Sequence, residues 1–343
     1  MRSTDVVVAG AGLIGLSCAL ELKSAGLHVT VLERGEPGRE ASWAAAGMLA
    51  AHDPRNSPAL LPLSEHSLSL YRGYLETLAE RGGAEVSFET EWVLEQAEGS
   101  TDHLTTLPQL QGTGFHRSPE WSLNPRSLIS ALLQAVIASG VTVRQNSNLL
   151  VASQREGSVE IRTEEGLLHC GTFLDCTGAW SGPPVHPAKG QMLRVMAQGA
   201  MAARDLGNIV VRTPDIYMVP RLDGTVVIGA TVEDAAFDRT VHPAAIQRLR
   251  DAAAALLPIL RHAPEVERWS GLRPDTPDHL PLIGQTGDHS FVAAGHFRNG
   301  VLLAPATAHG IARIILGQQP AVDLHAFRPE RFSRAETSSK VGV

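Results

Sequence analysis

Gly10-Ala11-Gly12-Leu13-Ile14-Gly15 fits the pattern G-x-G-x-x-G. Glycines at that spacing suit one kind of chemistry, the holding of a diphosphate on bare backbone. Gly10 permits a tight turn, Gly12 lets the main chain approach a pyrophosphate, and Gly15 lets a helix lie close to a strand. Glu33 follows at the distance where an acid accepts from the adenosine ribose hydroxyls, about 20 residues on. Alone, the motif also suits an ordinary glycine turn, so its neighbours decide. Asp5 to Ala9 is a short apolar run that reads as a buried strand. A helix is expected from Leu13 to about Ala25, with Leu16, Ala19, Leu20 and Leu22 as its apolar stripe and Gly26 as its stop. Val29 to Leu32 reads as a second strand, ending at Glu33-Arg34. Strand, helix, strand and acid in register make a βαβ unit whose helix N-terminus offers free N–H groups and partial positive charge to phosphates.

Two further stretches suit the same chemistry. Ala44-Ala45-Ala46-Gly47, ahead of Met48, is a run of small residues that lets backbone lie against something flat. By itself it could equally be a tightly packed helix start; beside the βαβ unit it favours a flavin over a nicotinamide. Gly295-His296-Phe297-Arg298-Asn299-Gly300 is a second glycine-bounded loop, feeding a helix from Val301 to Leu316. The dipole of that helix favours negative charge on whatever the loop touches.

The elements that must position these groups follow in order. Ser64 to Arg81 reads as an amphipathic helix and Val86 to Glu95 as a strand, whereas 96–118 is polar and without a motif. Asn124 caps a helix with Pro125 in its first position, buried through Leu128, Ile129, Leu132, Leu133, Val136 and Ile137 and closed by Gly140. Val141 to Val143 is a strand, and Leu149-Leu150 begins another apolar segment. Val159 to Thr163 and Leu167 to Cys170 form a hairpin across Glu164-Glu165-Gly166. Thr172 to Ser181 is a strand entering a glycine turn, placed to return the chain to the first βαβ unit. Ile216 to Pro220 and Thr225 to Ala230 form a hairpin around Asp223-Gly224. A helix runs from Pro243 to about Leu257, and Gly271-Leu272-Arg273-Pro274 reads as a rigid turn. Phe291 to Ala294 is a last short strand, and the tail from Ser333 reads as frayed.

Composition bounds the partners. The 343 residues carry a formal charge of −7, which gives no electrostatic reason to expect nucleic acid or an acidic membrane surface. No uninterrupted apolar stretch reaches the length of a spanning helix, about 18 residues, and the N-terminal apolar run is broken by glycines, unlike a signal peptide. Cys18, Cys170 and Cys176 are few, odd in number and without zinc spacing, so reduced thiols in a cytoplasmic protein are expected and no metal. His66, His103 and His116 are scattered, which suits surface or packing roles.

The chain resembles flavin-dependent glycine oxidases of thiamine biosynthesis, within the D-amino acid oxidase and sarcosine oxidase group. Five blocks carry the likeness: Gly10 to Gly15 with Glu33, Ala44 to Met48, Tyr217 to Arg221, Gly271 to Pro274, and Ala294 to Gly300 with Leu303-Ala304-Pro305-Ala306-Thr307. The resemblance implies an α/β fold in which a dinucleotide-binding FAD domain (1–52, 125–185 and 270–343) joins a smaller α+β substrate domain with an antiparallel sheet (53–124 and 186–269). It implies noncovalent FAD, touched by Gly10, Gly12, Leu13, Ile14, Gly15, Glu33, Arg34, Ala46, Gly47, Met48, Leu149, His296, Phe297, Arg298, Asn299, Gly300, Val301 and Leu302. Substrate contacts fall on Tyr217, Arg273 and Arg298. A small amino acid offers one strong handle, its carboxylate, for which a bidentate arginine is the natural clamp, and Arg273 takes that part. The implied reaction passes hydride from the substrate carbon to flavin N5, with no protein base needed, and O2 then becomes H2O2.

The chain departs from the family pattern in three places. Val232 stands where a methionine can lie over the substrate, Asp215 where a histidine can occur, and Gly182 to Lys189 is a short connection. These bear on substrate range and subunit contacts; the oligomeric state, a homo-oligomer included, is left open. A sarcosine oxidase or D-amino acid dehydrogenase is the nearest rival, although no cysteine follows Cys176 to tether a flavin. A nicotinamide-dependent dehydrogenase, or a flavin-binding module without turnover, stands further off.

Overall fold

The computed structural model describes residues 4–82, 84–96, 110–112, 114–197 and 209–332. His103 and the tail from Ser333 lie outside the described residues. The first half of the chain forms β1 (Thr4–Ala9), α1 (Leu13–Ser24), β2 (Val29–Leu32), α2 (Ala41–Ala44), α3 (Leu61–Gly82), β3 (Phe88–Gln96), β4 (Phe115–Leu123), α4 (Pro125–Ala138), β5 (Thr142–Arg144), β6 (Leu149–Arg155), β7 (Ser158–Thr163) and β8 (Gly166–Asp175). The second half adds β9 (His186–Met196), β10 (Ile209–Arg212), β11 (Tyr217–Pro220), β12 (Thr225–Gly229), α5 (Pro243–Leu256), β13 (Glu265–Asp275), β14 (Leu282–Gly287), β15 (Ser290–Ala294) and α6 (Gly300–Ile315).

The strands form two sheets. One has the order β14-β15-β8-β1-β2-β5, with the β6–β7 hairpin continuing from β8. Its central pairs are parallel: β15 with β8, β8 with β1, β1 with β2, and β2 with β5. β1 lies between β2 and β8, so the strand ending at Asp175 returns beside the first βαβ unit as its sequence suggests. β1 and β2 are apolar and buried along most of their length, as strands covered on both faces require. Against this sheet pack α1, α3, α4 and α6, sharing one core that includes Leu16, Leu20, Leu63, Leu78, Leu132, Leu303 and Ile311. Asn124 caps α4 by accepting from the Arg126 amide at 3.1 Å.

The other sheet has the order β13-β9-β12-β11-β10-β3-β4 and is antiparallel except where β10 meets β3. Its two faces follow the two-residue period of a strand. Met218, Val226 and Ile228 turn toward α5 and pack with Ile246 and Leu249. Val219, Val227, Met192 and Trp269 turn the other way, toward α2. Two readings of the sequence need correction here. Gly271 to Pro274 is not a turn: the segment lies inside β13, which pairs with β9 along its whole length. The stretch 96–118 contains the start of β4, whose Arg117, Ser118 and Pro119 disguise an edge strand.

α6 holds Pro305 inside it. Proline has no N–H, so the Val301 carbonyl loses its helical donor. The hydroxyl of Tyr71, on α3, donates to that carbonyl instead. One residue on, Ser67 Oγ donates to the Leu302 carbonyl at 2.6 Å and accepts from the Ala306 amide at 3.2 Å, bridging the ladder. Two hydroxyls of α3 thus hold the first turn of α6. Tyr71→Phe should cost about 1–3 kcal/mol of stability, the usual cost of a buried carbonyl without a partner. Urea unfolding reads this directly, and an unchanged midpoint would show that something else serves Val301.

Candidate active site

The two sheets and the α6 N-terminus enclose a cavity of about 660 Å³. The end of β1 and the start of α1 form its floor. Gly10 has φ +97°, a conformation that glycine tolerates. A Cβ there would fall on the Cys176 carbonyl, and a Cβ at Gly15 would fall on the Gly10 carbonyl. These two glycines therefore serve backbone packing. Gly12 differs: it lines the cavity, and an added Cβ meets nothing closer than Ser42 Oγ at 3.4 Å. Ser42 also accepts from the Leu13 amide at 3.0 Å and so caps α1 from outside.

Glu33 is buried, with Oε2 accepting from the Ala11 amide at 2.9 Å and Oε1 from the Gly35 amide at 3.0 Å. Each oxygen can accept a second bond, so ribose hydroxyls remain compatible with it. Arg34 pairs with Glu40 at 2.6 Å and lies 3.5 Å over the Trp180 ring. Trp180 in turn stacks on Phe237.

Ala46, Gly47 and Met48 line the cavity. They are pinned by β4, whose Leu123 amide donates to the Gly47 carbonyl at 3.0 Å, and by Arg221, whose Nη2 donates to the Ala46 carbonyl at 2.6 Å. Arg221 is buried against Glu89, and burial holds its pKa below the ordinary arginine value. In the matched Tyr217–Arg221 block, then, the tyrosine faces the cavity and the arginine fastens the loop.

Parity along the strands places the polar groups. Tyr217 shares a face with Val219, and Arg273 shares one with Trp269, so both point into the cavity. The Arg273 guanidinium occupies the space a Cβ at Gly190 would need, and the Tyr217 hydroxyl does the same at Gly229. Tyr217 lies beside Arg273, whose Nη1 donates to the Thr231 carbonyl at 3.1 Å. Burial raises the Tyr217 pKa against the pull of Arg273, keeping the hydroxyl protonated.

The loop before α6 closes the cavity. The Phe297 amide donates to the Pro274 carbonyl at 2.7 Å, tying that loop to β13. Asn56 Oδ1 accepts from Asn299 Nδ2 at 3.0 Å and from Arg298 Nη2 at 3.4 Å. His296 is 2% exposed and its Nε2 lies 3.1 Å from Thr307 Oγ1. Burial depresses its pKa to about 3, so it is neutral in the folded chain.

The cavity thus brings together nearly all the residues singled out in the sequence: Gly10, Gly12, Leu13, Ile14, Glu33, Arg34, Ala46 to Met48, Leu149, Tyr217, Arg273 and His296 to Val301. Gly15 and Leu302 stand behind its lining, in the core. Val232 and Asp215 reach it from exposed positions. Three contributors went unread. Ser42 sits within the small-residue stretch but carries no pattern of its own. Asp53 and Arg55 also line the cavity, with Arg55 Nε and Nη2 gripping Asp53 at 3.0 and 2.9 Å. Burial opposes ionisation of Asp53, but Arg55, Arg212 and Arg298 outweigh it and hold the pKa down to about 2.

A bare glycine at a capped helix N-terminus, a buried acid after β2 and a second helix N-terminus across the cavity are the fittings of a dinucleotide-dependent oxidoreductase. The chain belongs to the family of FAD dependent oxidoreductases, whose model matches residues 5–314. It is 35% identical to a glycine oxidase of Pseudomonas aeruginosa, over 95% of this chain and 99% of that one. It is 34% identical to a bifunctional protein ThiO/ThiG of Synechocystis, over 96% of this chain and 54% of that longer one. The crystal structure of glycine oxidase from Geobacillus kaustophilus superposes with a TM-score of 0.88 at 28% identity, covering 96% of this chain and 98% of that one. The open face at Gly12 fits the pyrophosphate of FAD.

The unfolded chain binds a proton on His296 at about the ordinary pKa of 6.5, while the folded chain resists it until about 3. Stability is therefore lost as pH falls, by about 2 kcal/mol between pH 6.5 and 5 from this group alone. In His296→Asn that part of the acid slope should vanish, as read from urea midpoints at several pH values. An unaltered slope would mean that the imidazole is protonated in the folded state.

Proposed function

We propose that this chain is an FAD-dependent oxidase that converts glycine to its imine, reduces O2 to H2O2 and serves thiazole formation in thiamine biosynthesis. The observation that carries the reading is the Tyr217–Arg273 pair, half-buried on the cavity face of the mixed sheet, within the same cavity as Gly12 and the α6 N-terminus. The names of the relatives support the substrate and the pathway. Glycine, O2 and water give glyoxylate, ammonia and H2O2 once the imine hydrolyses. The three unpaired, buried thiols of Cys18, Cys170 and Cys176 suit a reducing, cytoplasmic setting.

Bound FAD supplies the two-electron acceptor and its reoxidation by oxygen. The protein's part is positioning. Arg273 offers a guanidinium fork to the substrate carboxylate, and Tyr217 adds a hydroxyl donor. That grip fixes where the α-carbon lies, and orientation alone removes several kcal/mol from a barrier. Gly10, Gly12, Leu13, Ile14, Glu33, Arg34, Ala46 to Met48, Leu149 and His296 to Val301 would hold FAD, with Gly15 and Leu302 supporting them from behind. The α6 N-terminus favours negative charge beside it. Neutral His296 adds no positive charge there, so the helix and Arg298 supply the field.

Arg273→Ala should raise the KM for glycine by about tenfold to a hundredfold, the value of a lost charge-assisted hydrogen bond. FAD absorbance near ~450 nm should persist. Peroxide assays on glycine, sarcosine and D-alanine would rank the substrates. Wild-type protein that binds FAD yet yields no peroxide from any of the three would overturn the reading.

A further inference from the structure

Four arginines line the cavity: Arg34, which is paired with Glu40, and Arg55, Arg273 and Arg298. One buried carboxylate, Asp53, answers two of them. Its Oδ1 accepts from the Arg55 amide at 2.9 Å and from Arg55 Nε at 3.0 Å, and Arg298 Nη2 stands 3.8 Å from the same oxygen. Arg55 and Arg298 are thus held side by side. Behind them Arg212 stands 3.9 Å from Asp53, but its own charge is met by Glu95 at 2.8 Å and Glu120 at 2.9 Å. Asp215 belongs to the exposed rim.

In the oxidase reading Arg273 and Tyr217 take the glycine carboxylate, and the substrate contact that the resemblance implies for Arg298 is assigned here to a second group. Among the described residues, Arg55 Nη1 and Nε and Nη1 of Arg298 meet no hydrogen-bond acceptor. Burial holds Arg298 below the ordinary arginine value, and the like charges of Arg55, Arg212 and Arg273 push the same way against Asp53. Guanidinium donors at a cavity wall, with one shared carboxylate among them, are arranged to receive an anion.

We propose that Arg55 and Arg298 form a second carboxylate subsite, so that the substrates of this site include small amines carrying two carboxylates. This rests on the oxidase reading above, which assigns the first carboxylate to Arg273 and Tyr217. Iminodiacetate, two glycine halves sharing one nitrogen, is the simplest probe. One of its carbons and the nitrogen give up two electrons and two protons, which reduce O2 to H2O2. Water then cleaves the C=N bond, leaving glyoxylate and glycine, so atoms and electrons balance.

The test uses the FAD-loaded enzyme. Diglycolate and methoxyacetate are ethers with two and one carboxylates, and flavin absorbance reports the binding of either without turnover. Diglycolate should bind at least about tenfold more tightly, and iminodiacetate should exceed sarcosine in kcat/KM by a similar factor. In Arg55→Ala both ratios should fall by about tenfold, and Arg55→Lys should recover part of each. Diglycolate binding no better than methoxyacetate in the wild type, or ratios unmoved in Arg55→Ala, would refute the subsite. Wild-type enzyme that makes no peroxide from glycine would instead refute the oxidase reading, and the diglycolate titration would still decide the subsite. The wild-type titration stands even if Arg55→Ala sheds its FAD.

Discussion

Two backbone contacts that leave no room for a side chain fix the floor of the cavity. The Cα of Gly10 lies against the Cys176 carbonyl, and the Cα of Gly15 lies against the Gly10 carbonyl. Because both contacts are main chain to main chain, no rotamer can relieve a substitution there. They draw the end of β1, the first turn of α1 and the end of β8 to one point. From that point β8 continues into a turn in which Asp175 accepts from the Thr177 amide at 2.8 Å and from its hydroxyl at 2.6 Å. The turn carries Trp180 under Arg34. This end of the cavity is thus set by where three backbones can touch.

The facing wall is set by the short helix α2. Ser42 reaches one way, to the Leu13 amide of α1 at 3.0 Å. Ala44 reaches the other, its carbonyl accepting from Trp269 Nε1 at 3.0 Å on β13. A Cβ at Gly271 would fall on that of Ala44, so α2 lies as close to the second sheet as a bare strand allows. Four residues therefore span the gap between a helix N-terminus of one sheet and the strand that bears Arg273. The distance between the α1 N-terminus and the Arg273 guanidinium follows from the length of this spacer.

Much of this was legible in the sequence, for definite reasons. The βαβ unit, the Asn124-capped α4 and the hairpin around Asp223-Gly224 carry local signals, periodicity and caps, which tertiary packing did not override. What failed to show depends on partners distant in the chain. β4 pairs at a sheet edge, where Arg117 and Pro119 are tolerated and no apolar alternation is needed. Gly271 and Pro274 read as turn residues, yet β13 needs glycine to admit α2, and its register with β9 spans residues 265–275. Arg55 had no pattern, because its meaning comes from Asp53 and from Arg298, which stands 243 positions after it. The sequence puts His296 in the second glycine-bounded loop, but its neutrality follows from burial that only the packed chain imposes.

The electrostatics of the cavity extend into the second sheet. Arg212 on β10 is 2% exposed and binds Glu95 on β3 and Glu120 on β4. Burying four charges is costly unless each has its partners, and Asp53 completes this set on the cavity side. With its pKa lowered to about 2, Asp53 stays ionised across ordinary pH. Arg55 and Arg298 are therefore held at one geometry over that whole range, and neutral His296 does not titrate near them until the medium is strongly acid. Tyr217 is kept protonated by burial at the alkaline end. The charged frame around the substrate is thus constant across ordinary pH. In the oxidase reading proposed above, the substrate amine sheds its proton before its lone pair can drive hydride loss, and a rate that climbs with pH is then assigned to that amine. On that reading, a frame built from guanidiniums and one strongly acidic carboxylate keeps its charge while the amine titrates.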